Sequence, residues 1–240
     1  MRVLKKFRLA PWIDGLLALI YPEICMNCQD ALIQHERYLC RQCVSRLPLT
    51  GFENLPDNPV TQTFWGRTPV HFAASIYHYR KGETLQKLIG RLKYHGDPDS
   101  GIFLGRLAGK TLIKTKAFPQ ADYLIPVPLH PRRQRKRGYN QCEMIARGLS
   151  EVLAIPMEAS LLKRTVFNPS QTRKGRYERW QNVEGIFETA LPLDPFHNKH
   201  LLLVDDIITT GATLEACCSA LAQIPGATIS VVTVGYASRY

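Results

Sequence analysis

Residues 201–216 read LLLVDDIITTGATLEA, and this run constrains the fold more than any other stretch of the chain. The apolar residues Leu201–Val204 read as a buried strand. Two acids follow, Asp205 and Asp206, then Ile207 and Ile208, and then Thr209, Thr210, Gly211, Ala212 and Thr213, where a helix begins. In open α/β sheets, ligands bind outside the carboxyl ends of strands, which is where this loop would lie.

The composition of the loop suits a phosphorylated sugar. Free backbone N–H groups at a helix start, together with the helix dipole, favour a phosphate dianion. Thr209, Thr210 and Thr213 add hydroxyl donors, and Gly211 permits close backbone approach. Asp205 and Asp206 stand a few residues upstream, placed to accept hydrogen bonds from ribose hydroxyls. Taken piece by piece, the same residues could be a helix cap beside two solvated aspartates. The string as a whole favours the phosphate loop.

The rest of the chain supplies a sheet for this loop to sit on. From about residue 71, predicted strands at 71–79, 123–127, 200–204 and 227–234 alternate with predicted helices at 83–91, 101–117, 141–153 and 213–223. Such alternation implies an α/β fold with a mostly parallel sheet flanked by helices. Residues 51–70, with Gly51, Pro56, Asn58, Pro59 and Pro69, read as a linker. Residues 1–50 form a separate N-terminal part, which leaves 71–240 as the main domain.

Four of the seven cysteines lie in that N-terminal part. Cys25, Cys28, Cys40 and Cys43 form two CxxC knuckles, and two knuckles can complete a tetrahedral zinc site. Four thiolates leave no open position for water, so such a zinc would be structural. Two disulfides or an iron–sulfur cluster are the competing readings. Disulfides need an oxidising compartment, and no export signal supports one. The segment 12–20, after Arg2, Lys5, Lys6 and Arg8, mimics a signal peptide but lacks a small-x-small cleavage site. It reads as an amphipathic segment, with peripheral membrane contact as the minor alternative. No apolar stretch is long enough to span a bilayer, and the expected location is cytoplasmic. Cys142, Cys217 and Cys218 read as small buried residues.

The net charge of +11 calls for an anionic partner: phosphates, nucleic acid or a membrane surface. Arg132, Arg133, Arg135, Lys136 and Arg137 form a run without acids, in the loop expected after the strand at 123–127. They could neutralise a pyrophosphate leaving group or contact a nucleic-acid backbone. A second basic segment at 163–179 includes Arg164, Arg173 and Arg179, with Tyr177 and Trp180 nearby. It reads as a loop closing over a reacting centre, or as a stacking surface for single-stranded nucleic acid. Lys93–Gly96 reads as an ordinary basic helix end, and His130 as structural.

The 201–216 run resembles the phosphoribosyl pyrophosphate motif of type I phosphoribosyltransferases. The order of zinc knuckles, IPVPLHPRRQRKRGYNQCEMIA (125–146), NPSQTRKGRYERWQNVEGIF (168–187) and this run resembles the ComF family over nearly the whole chain. The resemblance implies a type I phosphoribosyltransferase fold, with Asp205 and Asp206 on the ribose hydroxyls and residues 209–213 around the 5-phosphate. It also implies Mg²⁺ accompanying phosphoribosyl pyrophosphate and a link to DNA uptake and transformation. Transfer of the phosphoribosyl group to a nitrogen nucleophile is one expectation, with no catalytic residue identified. A non-catalytic module binding single-stranded DNA and DNA-uptake or recombination proteins is the other.

Overall fold

The computed structural model describes residues 22–115, 117–165, 186–190 and 192–238. The chain forms two compact units, Met1–Leu47 and Pro48–Tyr240. The amphipathic segment at 12–20, Arg173, Tyr177, Arg179 and Trp180 lie outside the described residues.

Among the described residues of the first unit, only Cys25, Leu39, Cys43 and Leu47 are buried. Among these described residues the regular structure is a single turn of helix, α1 (Arg41–Ser45), preceded by turns that place Gln29, His35 and Tyr38 at positive φ. So small a set of apolar side chains cannot by itself offset the entropy of ordering the backbone.

The second unit is built on a four-stranded, fully parallel sheet. In space the order is β1 (Phe72–His78), β6 (Thr228–Tyr236), β5 (His200–Ile208), β2 (Tyr123–Pro126). Both faces of a parallel sheet must be covered, which explains the near-continuous burial of β5 and β6. Helices α3 (Thr84–Tyr94), α4 (Pro98–Leu112), α5 (Pro131–Arg137), α6 (Gln141–Leu153) and α7 (Ala212–Leu221) connect or flank the strands. Helix α6 packs on β2 and β5, and α4 on β6. Leu214, Cys217 and Leu221 of α7 share a core with Leu201, Leu203, Ile229 and Val231. A small antiparallel hairpin, β3 (Leu162–Arg164) with β4 (Phe187–Thr189), joins this core through Leu162 and Phe187. Cys142, Cys217 and Cys218 are all buried.

Residues 51–70, expected to link the two parts, contribute core. A 3-10 turn at Phe52–Asn54 is followed by α2 (Pro59–Gln62), and Val60 and Phe64 are buried in the main cluster. Asn58 fixes this segment. Its Oδ1 caps α2 by accepting from the N–H groups of Val60 (2.8 Å) and Thr61 (3.1 Å), and its Nδ2 donates to the Ala73 carbonyl of β1 (2.8 Å).

Helices α4 and α6 approach almost backbone to backbone. A Cβ on Gly105 would lie 2.0 Å from the Ile145 carbonyl oxygen, and one on Gly148 would lie 2.1 Å from the Ile102 carbonyl oxygen. Neither obstacle can swing aside as a side chain could. Gly148→Ala is therefore expected to destabilise the protein by about 1–3 kcal/mol or more, read from the urea midpoint. An unchanged midpoint would show that the helices are not so closely apposed.

Candidate functional site

Strand β5 does not end at Val204 as the sequence predicted. Its ladder with β6 continues through Asp205, opposite Thr233, to Ile208, opposite Tyr236. Both acids therefore lie within the strand, and both are buried. The chain then turns through Thr209 and Thr210 to Gly211, at φ 80°, and enters α7 at Ala212. Gly211 has no side chain to cap this helix start; Thr210 Oγ1 accepts from Ala212 N–H at 3.5 Å, and the rest of the first turn has no side-chain acceptor among the described residues. Thr209 and Thr213 are exposed and Thr210 half-buried, so all three hydroxyls border the turn from outside the core. Gly211 is required twice over, by its left-handed conformation and because an added Cβ would fall 2.6 Å from Cγ2 of Thr63.

The acids have internal partners. Asp205 Oδ1 accepts from the Cys142 thiol at 3.1 Å and from the Asp206 backbone N–H at 2.8 Å. Lys93, at the end of α3, places Nζ 2.9 Å from each oxygen of Asp206. It donates to Oδ1; Oδ2 is buried and accepts no hydrogen bond. Burial, then repulsion from Asp206, pushes the Asp205 carboxyl up to about 7, against the opposing pull of its hydrogen bonds and of Lys93. Burial alone would lower the Lys93 ammonium, but attraction to Asp206, and to Asp205 beyond it, holds it above its ordinary range.

The motif Gly138–Cys142 assembles this arrangement. Val127 N–H donates to the Val204 carbonyl, extending the β2–β5 pairing to the level of the acids. Asn140 Nδ2 donates to the Val127 carbonyl at 3.0 Å, while its Oδ1 caps α6 by accepting from Cys142 N–H at 3.0 Å. Tyr139 Oη donates to the Leu92 carbonyl at 2.6 Å, tying the same segment to the helix that carries Lys93. One short stretch thus positions both the thiol on Asp205 and the helix end on Asp206.

The basic run is not a loop. It forms α5, with Pro131 at its first position, Gly138 at φ 90° closing its C-terminus, and His130 Nδ1 accepting from Arg132 N–H at 3.1 Å. A proline start and a glycine stop explain why seven residues hold this shape. Arg132, Arg135 and Lys136 are exposed; Arg133 and Arg137 are half-buried, and Arg137 donates to Gln141. Burial, then the charges of Arg164, Arg132, Arg133 and Arg135, lowers the His130 imidazole below its ordinary range. Arg164 reaches the same neighbourhood from β3 with its guanidinium over the Phe187 ring.

In the first unit, the sulfur atoms of Cys25, Cys28, Cys40 and Cys43 all lie within 4.8 Å of one another, a donor set that could hold a metal ion. Backbone N–H groups point at the sulfurs: Cys40 N–H donates to Cys25 Sγ and Cys43 N–H to Cys40 Sγ, each at 3.4 Å. Burial pushes the Cys25 thiol up, but the N–H groups of Cys40, Cys28 and Asn27 outweigh it and bring it to about 6, while the Cys28 and Cys40 thiols of the same cluster are held above their ordinary range.

The structure places Asp205, Asp206 and residues 209–213 at one end of β5. It adds Lys93 and Cys142, which the sequence reading took for a helix end and a small core residue. No local signal marks Lys93, because its partner lies 113 residues away.

The raised Asp205 carboxyl has a consequence for stability. The folded protein keeps this proton up to about 7, whereas an unfolded aspartate releases it near about 3.9. Between those values the folded state binds more protons, so the stability this group contributes falls as pH rises through about 7. Asp205→Asn lacks that dependence. Between about pH 5 and about pH 8, its unfolding free energy relative to wild type should shift in the variant's favour in urea titrations. A constant difference would show that Asp205 titrates normally.

No family model matches the chain. Competence protein F of Haemophilus influenzae is 34% identical over 152 residues, 62% of this chain and 66% of that protein. The DNA utilization protein YhgH of Escherichia coli K12 is 28% identical over 218 residues, 90% of this chain and 91% of that protein. Competence protein ComFC of Bacillus subtilis is 29% identical over 150 residues, 62% of this chain and 57% of that protein. The matches to the Haemophilus and Bacillus proteins thus span less than two thirds of their length. Among solved structures, a glutamine phosphoribosylpyrophosphate amidotransferase from B. subtilis is similar over 60% of this chain and 30% of that one, with 16% identity and a TM-score of 0.40. Adenine phosphoribosyltransferase from Saccharomyces cerevisiae is similar over 59% of this chain and 69% of that one, with 17% identity and a TM-score of 0.34. Scores this low add no weight to what the strand order and strand-end turn already display, a parallel sheet flanked by helices with a turn into a helix at the end of a central strand. Similarity to these competence and DNA utilization proteins agrees with the resemblance to the ComF family carried by the motifs at 125–146 and 201–216.

Proposed function

We propose that the protein binds phosphoribosyl pyrophosphate at the carboxyl end of β5 and acts in the handling of DNA taken up by the cell. One observation carries the ligand: two buried carboxylates at a strand end are followed within a few residues by a helix start entered through Gly211, which has no side chain to cap it. In this reading Asp205 and Asp206 receive the ribose hydroxyls, and Thr209, Thr210, Gly211, Ala212 and Thr213 hold the 5-phosphate. Mg²⁺ accompanies the pyrophosphate, and Arg132, Arg133, Arg135, Lys136 and Arg137 offer it cations. Arg173 and Arg179, outside the described residues, are candidates for the same role. Zinc occupies the four-cysteine cluster and supplies the stability that four buried apolar residues cannot. The names of the relatives, competence protein F, ComFC and DNA utilization protein, support the biological role.

Chemistry at this site would transfer a phosphoribosyl group to a nitrogen nucleophile, with the oxocarbenium-like state stabilised by fixed charge and positioning. The second reading is a module that binds single-stranded DNA and partner proteins of uptake or recombination without catalysis. The exposed Arg132, Arg135 and Lys136 on α5, with no acid in the helix, favour this contact.

Calorimetric titration of Mg²⁺–phosphoribosyl pyrophosphate should show binding by the wild type that is lost in an Asp205→Asn/Asp206→Asn variant. No binding by folded wild type would overturn the ligand assignment. For DNA, neutralising Arg132, Arg133, Arg135, Lys136 and Arg137 should weaken binding of single strands in gel-shift assays. It should also flatten the dependence on salt by roughly 0.7 in log–log slope for each phosphate contact removed. Unchanged affinity would exclude α5 as the main contact.

A further inference from the structure

The acidic pair sits in surroundings that a divalent cation would be expected to fill. The Cys142 sulfur and one carboxylate oxygen from each of Asp205 and Asp206 lie within 4.8 Å of one another, and all three residues are buried. Such a donor set, left alone, concentrates negative charge out of water at prohibitive cost. Here it is not left alone. The Lys93 ammonium stands 2.9 Å from both oxygens of Asp206, with the carboxylate side chain only 6% exposed and the lysine side chain 22%. The ammonium donates to Oδ1 and is ion-paired with Oδ2, so both oxygens of Asp206 face Lys93.

Mg²⁺ does not fit these groups as they stand. It demands near-octahedral oxygen coordination and retains its waters, whereas this cluster offers a thiol and two carboxylates with an ammonium already 2.9 Å from Asp206. We propose that Lys93 is the resident cation of the Cys142–Asp205–Asp206 cluster, taking the place of a divalent ion, and that removing its charge uncovers a divalent-cation site there. Any Mg²⁺ that enters with a ligand stays on that ligand's phosphates. The inference rests on the geometry of the pair and stands whether or not the site takes phosphoribosyl pyrophosphate.

The test uses Mn²⁺ alone, with free ion followed by electron paramagnetic resonance, on the full chain with its four-cysteine cluster loaded with zinc. Wild type should show no Mn²⁺ site that Asp206→Asn abolishes. Lys93→Met and Lys93→Gln should each gain one site per chain, bound at least about tenfold more tightly than any wild-type site, because a buried unit charge no longer repels the ion. Lys93→Arg, which keeps the charge, should gain none, and adding Asp206→Asn to Lys93→Met should remove the new site. Folding is verified by circular dichroism and zinc content, and either neutral variant suffices. If the folded neutral variants bind Mn²⁺ as wild type does, Lys93 is not standing in for a metal. An Asp206-dependent Mn²⁺ site in the wild type itself would overturn the proposal without any lysine variant.

Discussion

Two carboxylates buried side by side at the end of a central strand set the terms for everything around them. Moving one such charge out of water costs several kcal/mol after relaxation, and a neighbour of the same sign adds to that cost. The protein meets it with a division of labour. Asp205 is held by hydrogen bonds and kept protonated to about 7, while Asp206 is held by an ammonium. The partners come from α6 and α3, so the packing of those helices is bound to the electrostatics of the strand end. A displaced α3 would strip Asp206 of its cation, and a displaced α6 would strip Asp205 of its thiol.

That dependence accounts for features that otherwise seem unrelated. Asn140 spends its amide on the Val127 carbonyl and its oxygen on the α6 cap, so the first turn of α6 cannot slide along the sheet. Tyr139 ties the same turn to the last turn of α3. Gly105 and Gly148 let α4 and α6 close to backbone contact, which no side chain would allow. Rigid placement is what a site that works by fixed charge requires, since donors and charges that must reorganise during a reaction lose much of their effect.

Much of the sheet was legible in the sequence, and the reasons are local. Runs such as Leu201–Val204 and Val231–Val234 carry strand character in their own composition, and Leu85, Leu88, Ile89 and Leu92 mark a helix by spacing alone. The strand-end loop was legible because its acids, threonines and glycine are consecutive. Less legible was anything that depends on the partner. Strand β5 runs four residues past Val204 because β6 continues the ladder, and nothing in residues 205–208 announces that. The helix α5 looked like a loop because its charge dominates its composition, although Pro131 and Gly138 bound it as a helix start and stop. Residues 51–70 looked like a linker because their prolines mask the burial of Val60 and Phe64.

Lys93 shows where such reading stops. A lysine in the last turn of a helix has an ordinary explanation, favourable interaction with the carbonyl end of the dipole, and that explanation needs no distant partner. Only the fold brings Nζ to Asp206. The consequence is chemical: a cation carried on the chain is present in every copy of the protein, at a fixed position, whatever the metal supply. Divalent ions, by contrast, must be recruited and desolvated each time. An acidic pair already paired with an ammonium can stay folded and dry while empty. Discrimination against a metal ion follows from that single placement.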